Sequence, residues 1–225
     1  MKIFAVIPAG GKGIRSGFSA PKQYLKFYNK ELIVYTLEVF QKNKLINEII
    51  VAAEANYFPL LKRIREKYKL TKIKNIVEAG IERQDSVYNA LSSIDAIDED
   101  LIVVHDAARP LLNSNVLNKA VNVAVEKGNA LVCIKTKDTL IRANRTVNSY
   151  LDRWEIYNVQ TPQIFKCKDL MKAYKKAIKE KYYGTDESVL VKNLGKKIHI
   201  TEGSVMNFKV TTKEDIQLFK RLIKL

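Results

Sequence analysis

Residues 5–17 read AVIPAGGKGIRSG, an apolar strand pattern that runs directly into a loop with four glycines and two cations. Glycine-rich loops that follow a first strand often bind phosphates, because backbone N–H groups approach an anion closely where no side chain intervenes. Pro21, Lys22 and Gln23 follow shortly after the loop and add a further cation. The stretch therefore predicts the opening of an α/β fold with an anion site at the end of its first strand.

The two best-known phosphate-binding motifs do not fit this loop. A P-loop needs a Lys followed directly by Ser or Thr after its last glycine, whereas Gly13 is followed by Ile14 and Arg15. The dinucleotide fingerprint G-x-G-x-x-G, started at Gly11, meets Gly13 and then Ser16, so its third glycine is missing. The loop therefore indicates neither a P-loop nucleotide hydrolase nor a dinucleotide enzyme.

The composition is that of an ordinary globular protein. The 225 residues are 47% apolar and 28% charged, which predicts one large domain spanning 1–225. No stretch approaches the roughly 20 apolar residues of a membrane span, and we expect neither a signal peptide nor a membrane partner. Cys133 and Cys167 stand alone, which argues against a disulfide framework or a zinc site and favours the reducing cytoplasm as the location.

The formal net charge of +15 raises the question of a nucleic-acid partner. The lysines are spread along helical patterns, for example over residues 170–181, where they alternate with an apolar face. Such spacing is typical of a solvated helix face. We therefore predict that the chain binds no nucleic acid, and that its positive charge helps to attract small anions.

Short apolar runs alternate with helical patterns over the first part of the chain. Strand patterns lie at Ile3–Ile7, Glu48–Ala53, Lys74–Glu78, Leu101–His105 and Ala130–Ile134. Helical patterns lie near residues 31–43, 57–68, 84–96 and 114–127. The strands are nearly continuous in apolar residues, as parallel strands covered on both faces are. The order predicts a doubly wound α/β fold with a mostly parallel sheet and ligands at the carboxyl ends of its strands.

Residues 135–160 interrupt this alternation and indicate a small two-stranded excursion, which we call the β-arm. An excursion too small for its own core must pack on something, and we expect a second subunit, so that the arm is a dimerisation element. Helical patterns follow near 169–181 and 186–194, then a short strand near 197–201. Thr212-x-x-Asp215 predicts a capping box at the start of a final helix.

Glycines and polar residues gather where the predicted strands end and later in the chain. They include Gly10, Gly11, Lys12, Gly13, Arg15, Lys22, Gly80, Arg83, Ser86, His105, Asp106, Arg109, Arg153, Thr161, Thr185 and Lys209. Among them are many cations and one prominent strand-end carboxylate, Asp106. Phosphoryl or nucleotidyl transfer needs such cations and backbone donors, together with a Mg²⁺ held by a carboxylate. The set therefore favours transfer chemistry on a polyphosphate.

These residues also have structural interpretations. A Ser-His-Asp hydrolase would need a G-x-S-x-G elbow, which is missing. His105 and His199 are too isolated to propose as a base, and we interpret His105 as structural because its neighbour Asp106 is the more useful group. Three structural alternatives concern ion pairs and caps: a surface ion pair between Arg83 and Asp85, a clamp between Asp106 and Arg109, and a helix cap formed by Thr185 and Asp186. Three more concern local features: a tight βα turn made by Gly10, Gly11 and Gly13, plain surface polarity of Asp138 and Arg153, and a strand lysine at Lys209 whose charged end reaches solvent.

Taken together and in this order, the motifs resemble the 2-C-methyl-D-erythritol 4-phosphate cytidylyltransferase family of the non-mevalonate isoprenoid pathway. The resemblance spans nearly the whole chain. The motifs that carry it are Pro8–Arg15, Pro21–Gln23, Glu82–Val87, Val104–Pro110, Lys137–Thr139, Asp152–Arg153, Gln160–Gln163, Thr185–Glu187 and Lys209–Thr211. The chain departs from the family's usual pattern at Ser16, at Ile81 and at Lys135-Thr136.

The resemblance implies a Rossmann-like nucleotidyltransferase fold and a homodimer. It also implies a Mg²⁺-dependent transfer from CTP to methylerythritol phosphate, giving the CDP-alcohol and pyrophosphate. The CTP-binding residues it implies are Pro8, Ala9, Gly10, Gly11, Lys12, Gly13, Gly80, Arg83, Ser86, Asp106 and Ala107. The acceptor-binding residues are Asp106, Arg109, Asp138, Thr139, Arg153, Thr161 and Thr185. The catalytic residues are Arg15, Lys22, Arg153 and Lys209, and the metal ligand is Asp106.

Two alternatives stay open at this point. A cytidylyltransferase for a pentitol phosphate, such as ribitol 5-phosphate, shares the fold and many of the motifs. A basic α/β module that binds RNA or another polyanion without catalysis would instead show binding that weakens steeply with salt and no release of pyrophosphate.

Overall fold

The computed structural model of the chain describes residues 1–11 and 20–224. Its strands are β1 (Ile3–Pro8), β2 (Lys26–Phe27), β3 (Lys30–Glu31), β4 (Glu48–Ala53), β5 (Ile73–Glu78), β6 (Leu101–Val104), β7 (Asn129–Lys135), β8 (Leu140–Asn144), β9 (Thr146–Leu151), β10 (Tyr157–Lys166) and β11 (Ile200–Glu202). Its helices are α1 (Leu32–Lys42), α2 (Phe58–Lys67), α3 (Arg83–Ser92), α4 (Ser114–Lys127), α5 (Cys167–Lys179), α6 (Glu187–Lys192) and α7 (Lys213–Leu222). The predicted helices and strands are confirmed to within a few residues.

A seven-stranded sheet forms the centre, in the order β11-β7-β10-β6-β1-β4-β5. Strand β1 pairs in parallel with β4 and β6, β4 pairs in parallel with β5, and β11 pairs in parallel with β7. Strand β10 alone among these seven runs antiparallel to both of its neighbours, β6 and β7. The predicted α/β fold with a mostly parallel sheet is therefore confirmed.

Strand β10 is the element that the sequence pattern did not reveal. The sequence pattern assigns its first residues, up to Gln160, to the β-arm, but the strand continues through Thr161 into the centre of the sheet. Its register against β7 shifts between Val159 and Gln163, and Pro162 lies within that shift. A proline cannot donate to a strand ladder, and a bulge tolerates it. Both features hide the strand from an alternation pattern.

The two faces of the sheet are buried by different helices. Along β1, Ala5 and Ile7 belong to one apolar cluster, and Phe4 and Val6 belong to another on the opposite face. The first cluster contains side chains of α1, α2 and α4, and the second contains side chains of α3, α5 and α6. Burial on both faces explains why the strands are apolar without alternation.

The β-arm contains a hairpin that stands apart from the central sheet. Strands β8 and β9 pair with each other in a separate two-stranded sheet. Ile141, Val147 and Tyr150 are large apolar side chains on this hairpin that are exposed. The two-stranded excursion is confirmed for residues 140–151, whereas residues from Tyr157 onward belong to the central sheet. The role of the arm in dimerisation stays a prediction.

Across residues 1–11 and 20–224, none of the helices combines the length and the apolar character that a membrane crossing requires. The cytoplasmic location stays a prediction.

Candidate active site

Asp106 lies two residues after the end of β6 and is surrounded by three cations. Its Oδ1 is 3.0 Å from Nε of Arg83, and its Oδ2 is 3.1 Å from Nζ of Lys209 and 3.4 Å from Nε of Arg109. Burial of the carboxyl would raise its pKa, but the charges of Arg83, Lys209 and Arg109 outweigh burial and hold the pKa of Asp106 far below its usual range. Asp106 therefore carries a full negative charge at neutral pH. We call Asp106 with these three cations the Asp106 cluster.

The chain holds two of these cations close to Asp106 by local backbone geometry. Arg109 follows Asp106 by three residues in a turn. The main-chain N–H of Arg109 donates to the carbonyl of Asp106 at 3.0 Å. Lys209 precedes Val210, a fully buried residue whose N–H donates to the carbonyl of Ala108 at 2.8 Å. The segment that carries Lys209 therefore runs alongside the turn after β6.

Arg83 connects Asp106 to a second carboxylate that the sequence analysis did not assign to the site. Its Nη1 donates to Oε1 of Glu187 at 2.7 Å, and the hydroxyl of Tyr174 donates to the same oxygen at 3.0 Å. Burial would lower the pKa of Arg83, but Glu187 and Asp106 raise it above its ordinary value. The Glu187 side chain is only 1% exposed, which a charged residue tolerates when it is paired.

The predicted alternative of a surface ion pair between Arg83 and Asp85 is wrong, because Arg83 pairs with Asp106 and Glu187. Asp85 instead completes a capping box, in which its Oδ2 accepts a hydrogen bond from the N–H of Glu82 at 3.0 Å. Glu187 did appear in the quoted motif Thr185-Asp186-Glu187, so the signal was present. Its role required the position of Arg83, which is 104 residues away along the chain.

His105 is fully buried under the cluster and is held by hydrogen bonds. Its Nδ1 lies 3.0 Å from Oγ1 of Thr161, and its Nε2 lies 3.2 Å from the carbonyl oxygen of Arg109. Burial lowers the pKa of His105 to about 4, so the ring is neutral at pH 7. Oγ1 of Thr161 also accepts a hydrogen bond from the N–H of Asp106 at 3.1 Å. These contacts favour the structural interpretation of His105.

Asn207 is a second residue that sequence reasoning missed. It is fully buried, and its amide nitrogen donates to the carbonyl of Thr161 at 2.6 Å. The main-chain carbonyl oxygen of Asn207 accepts a hydrogen bond from Nη1 of Arg109 at 2.7 Å. Asn207 therefore ties β10 to the cation that faces Asp106. A single asparagine between Met206 and Phe208 gives no sequence signal of this role.

The loop after β1 begins beside the end of β5. A Cβ atom on Gly10 would overlap Cβ of Ala79, so only glycine lets the two backbones approach. Nε2 of Gln23 donates to the carbonyl oxygens of Ala9 at 2.6 Å and Gly11 at 2.9 Å, and this fixes the residues that follow Pro8. The predicted residues Lys12, Gly13 and Arg15 lie outside the described residues.

The turn between β5 and α3 is equally compact. The N–H of Gly80 donates to Oγ of Ser86 at 3.1 Å, and that hydroxyl donates to the carbonyl of Glu82 at 3.0 Å. A Cβ on Gly80 would overlap Asp85. Ile81 points away from these contacts and is 98% exposed. The predicted residue Gly80 thus lies in the turn after β5, and the predicted residues Arg83 and Ser86 lie in the first turn of α3 that follows it.

Three of the predicted acceptor residues flank the β-arm hairpin. Asp138, Thr139 and Arg153 are exposed at the open end of the β-arm hairpin, beyond the paired residues Leu140 and Leu151. The guanidinium of Arg153 lies 5.4 Å from the ring centre of Trp154, at a distance typical of a cation–π contact. Over the described part of the chain, no hydrogen bond or ion pair joins these three residues to the Asp106 cluster.

Thr185 is also exposed, directly before α6. Its neighbour Asp186 is the N-cap of that helix, and Oδ1 of Asp186 accepts a hydrogen bond from the N–H of Val189 at 3.1 Å. The structural alternative of a helix cap is therefore confirmed for Asp186.

The Asp106 cluster offers a metal ion the carboxylate of Asp106, whose three cationic neighbours oppose a further cation unless substrate phosphates come with it. Over residues 1–11 and 20–224, no group of three or more His, Cys, Asp or Glu side chains could hold a metal. A carboxylate offers about four lone-pair sites, and cations approach Asp106 at three contacts. Mg²⁺ is commonly held by one or two carboxylates together with substrate phosphates. The residues therefore fit a Mg²⁺ that arrives on a polyphosphate.

Comparison with known proteins extends this description. Residues 3–224 match the family model described as 2-C-methyl-D-erythritol 4-phosphate cytidylyltransferase, IspD. A protein with that name from Syntrophus aciditrophicus is 37% identical over 226 residues, covering 99% of this chain and 96% of the relative. One from Clostridioides difficile is 36% identical over 222 residues, covering 98% and 93%. The crystal structure of 4-diphosphocytidyl-2C-methyl-D-erythritol synthase from Anaerococcus prevotii is 27% identical, covers 100% of this chain and 99% of its own, and superposes with a TM-score of 0.86.

Proposed function

Because the chain belongs to the 2-C-methyl-D-erythritol 4-phosphate cytidylyltransferase family, we propose that it transfers a cytidylyl group from CTP to 2-C-methyl-D-erythritol 4-phosphate. A phosphate oxygen of the acceptor forms a bond to the α-phosphorus of CTP. The bond from that phosphorus to the bridging oxygen breaks, and pyrophosphate leaves with the electron pair. The products are the CDP-alcohol and pyrophosphate.

The observation that carries the proposal is the Asp106 cluster at the carboxyl ends of the parallel strands. Three cations face two carboxylates, Asp106 and Glu187, so the cluster keeps an excess of positive charge. Two anionic substrates repel each other, and fixed cations offset that repulsion while they align the reacting atoms. The second pKa of a phosphate monoester is about 6, so the phosphate of the acceptor is largely ionised at neutral pH. Its attacking oxygen therefore needs no general base. A neutral, enclosed His105 is compatible with this chemistry.

The proposed roles follow the family resemblance and the geometry of each segment. The loop from Pro8 to Gly13 with Arg15 would hold the triphosphate, and Gly80 and Ser86 would lie against the cytosine. Lys22 and Lys209 would neutralise charge at the α-phosphate. Asp106 supports these roles because it keeps Arg83, Arg109 and Lys209 within 3.4 Å of its carboxylate.

Magnesium belongs to the proposal, with Asp106 as the residue that would hold it. When bound, Mg²⁺ supplies positive charge to the triphosphate and the leaving pyrophosphate. The cations of this chain neutralise the α-phosphate and the incoming phosphate.

A homodimer also belongs to the proposal. The exposed apolar side chains of the β-arm, among them Tyr150 and Trp154, are a surface that a second subunit would cover. Thr139 and Arg153 lie on the arm, and among the described residues no hydrogen bond or ion pair joins them to the Asp106 cluster. If the arm crosses to the partner, these residues reach the partner's acceptor site.

The test is pyrophosphate release with CTP and Mg²⁺, with methylerythritol 4-phosphate and ribitol 5-phosphate assayed in parallel. We expect turnover with methylerythritol phosphate only. Turnover with ribitol phosphate only would reassign the acceptor and leave the transfer chemistry in place. If the folded protein releases no pyrophosphate with either acceptor, the proposal is contradicted.

A further inference from the structure

Two consecutive side chains at the start of α3 hold residues 182–187, which we call the 182–187 segment. Nε2 of Gln84 donates to the carbonyl of Tyr182 at 3.0 Å, and the N–H of Gly184 donates to Oε1 of Gln84 at 2.9 Å. Arg83 binds the other end of the segment through Glu187 at 2.7 Å. The side-chain amide of Gln84 thus donates to one main-chain group of the segment and accepts from another. A neighbouring β-strand would make the same pair of hydrogen bonds.

The double contact fixes the residue before Thr185. Gly184 packs closely, since a Cβ there would come within 2.9 Å of Cδ2 of Leu190. On the other side of Thr185, Asp186 is fixed as the N-cap of α6, and Oγ of Ser188 donates to its Oδ1 at 2.6 Å. The exposed side chain of Thr185 is therefore presented from a backbone that is held on both sides.

The same first turn of α3 is tied to the turn proposed to face the nucleotide. Ser86 accepts a hydrogen bond from the N–H of Gly80 at 3.1 Å and packs at the base of the helix, only two residues from Gln84. A shift of the Gly80–Ser86 turn on nucleotide binding would therefore move Gln84, and with it Gly184. The turn proposed to face the nucleotide and the segment that carries Thr185 are thus both hydrogen-bonded to the first turn of α3.

We infer that Gln84 is a positioning residue, which sets Thr185 for the acceptor and couples acceptor binding to nucleotide binding. The inference rests on the proposed function for the identity of the two substrates. Coupling between two binding sites is reciprocal, so each ligand should raise the affinity for the other by the same factor. Gln84 itself touches neither proposed substrate.

The experiment compares the wild type with Gln84→Ala and with Asn89→Ala as a control. Asn89 is an exposed amide on the same helix, and it binds the carbonyl of Glu78 rather than the 182–187 segment. We expect Gln84→Ala to raise the KM for methylerythritol phosphate about fivefold to tenfold, since a hydrogen bond contributes roughly a fivefold change. The Kd of CTP alone should stay within about twofold. Asn89→Ala should resemble the wild type.

Two binding measurements make the result independent of turnover. Calorimetry with α,β-methylene-CTP should show that the analogue tightens acceptor binding in the wild type and loses this effect in Gln84→Ala. Amide hydrogen exchange at Gly184 and Thr185 should accelerate in Gln84→Ala and not in Asn89→Ala. Unchanged exchange in Gln84→Ala would overturn the positioning role, even if the wild type proved to use another acceptor. An equal loss of affinity for CTP alone would place Gln84 in the nucleotide site and overturn the coupling.

Discussion

At the scale of single residues, Asp106 organises the charges of the site. Its carboxylate gives Arg83, Arg109 and Lys209 a common partner before any substrate arrives. Without it, three cations would repel one another within a few ångströms. An incoming phosphate offers the same cations a partner with more charge. The cluster is therefore arranged in advance, and the cations need little reorganisation during the reaction.

Replacing Lys209 by Ala should lower kcat about 100-fold and raise KM much less, because the lost charge acts on the transition state. We expect a comparable kinetic effect from Lys22→Ala. Steady-state pyrophosphate release at saturating CTP checks both. The matched control is Lys213→Ala, which removes an exposed lysine at the start of α7. An unchanged kcat in Lys22→Ala or Lys209→Ala would remove that lysine from the proposed role.

His105 should make the folded state sensitive to acid. Its folded pKa of about 4 lies below its ordinary value of 6.5, so below pH 6.5 the unfolded chain binds a proton that the folded chain excludes. Stability should therefore fall between pH 6.5 and pH 4, by about 3 kcal/mol from this residue. Urea unfolding across that range measures the loss. His105→Gln cannot titrate and should be less sensitive to pH there; equal slopes in both proteins would contradict a buried neutral ring.

At the scale of elements, Gln23 joins two segments of the proposed nucleotide site. It lies in the short 3-10 turn Lys22–Tyr24, is buried, and donates to the main chain after β1 at Ala9 and Gly11. Tyr24 adds a hydrogen bond from its hydroxyl to the carbonyl of Ala9 at 3.1 Å. The turn that carries Lys22 and the start of the glycine loop therefore keep a fixed distance.

Gln23→Ala should raise the KM for CTP about tenfold, because two carbonyls lose their donor and the loop loses its fixed position. Gln23→Glu should be at least as harmful, since an ionised carboxylate repels carbonyl oxygens. The control is Gln217→Ala, which removes the side chain of an exposed glutamine on α7. Kinetics with varied CTP at saturating acceptor check the prediction, and a KM for CTP equal to that of the wild type would count against it.

At the scale of the whole molecule, the β-arm raises the question of which subunit completes the site. Arg153→Ala and Lys209→Ala should each be nearly inactive. If Arg153 acts on the partner's site, a heterodimer of the two variants contains one intact site, because the intact Lys209 of one chain meets the intact Arg153 of the other. The purified heterodimer should then have about half of the wild-type activity, because one of its two sites is intact.

Co-expression of the two variants, with purification through a different tag on each, measures this recovery. A monomer on light scattering, or a heterodimer without activity, would contradict the crossing arm. The control is the homodimer of the double variant Arg153→Ala/Lys209→Ala, in which neither site is intact. It should show no recovery of activity.

Much of the fold and the site followed from the sequence, for a local reason. Apolar runs such as Ile3–Pro8 and capping signals such as Thr212 with Asp215 involve residues that are close together in the sequence. Most strands and helices could therefore be predicted. Asp106, Arg83 and Arg109 could be named because strand ends converge at one edge of a parallel sheet, whereas Lys209 was named from the family motif Lys209–Thr211. Strand β10 was not predicted in the central sheet, because Pro162 and a register shift disrupt its alternation pattern. Its place in the sheet depends on pairing with strands that are distant in the sequence.

The sequence by itself determined the α/β order of elements, the cations available to the site and the resemblance to one enzyme family. Only the tertiary structure decided which charges meet, as when Arg83 bridges Asp106 and Glu187 rather than pairing with its neighbour Asp85. It also brought Gln84 to the backbone of Tyr182 and Gly184, about 100 residues away along the chain. Propensity and capping depend on residues a few positions apart, whereas the partner of a buried charge depends on how distant segments pack.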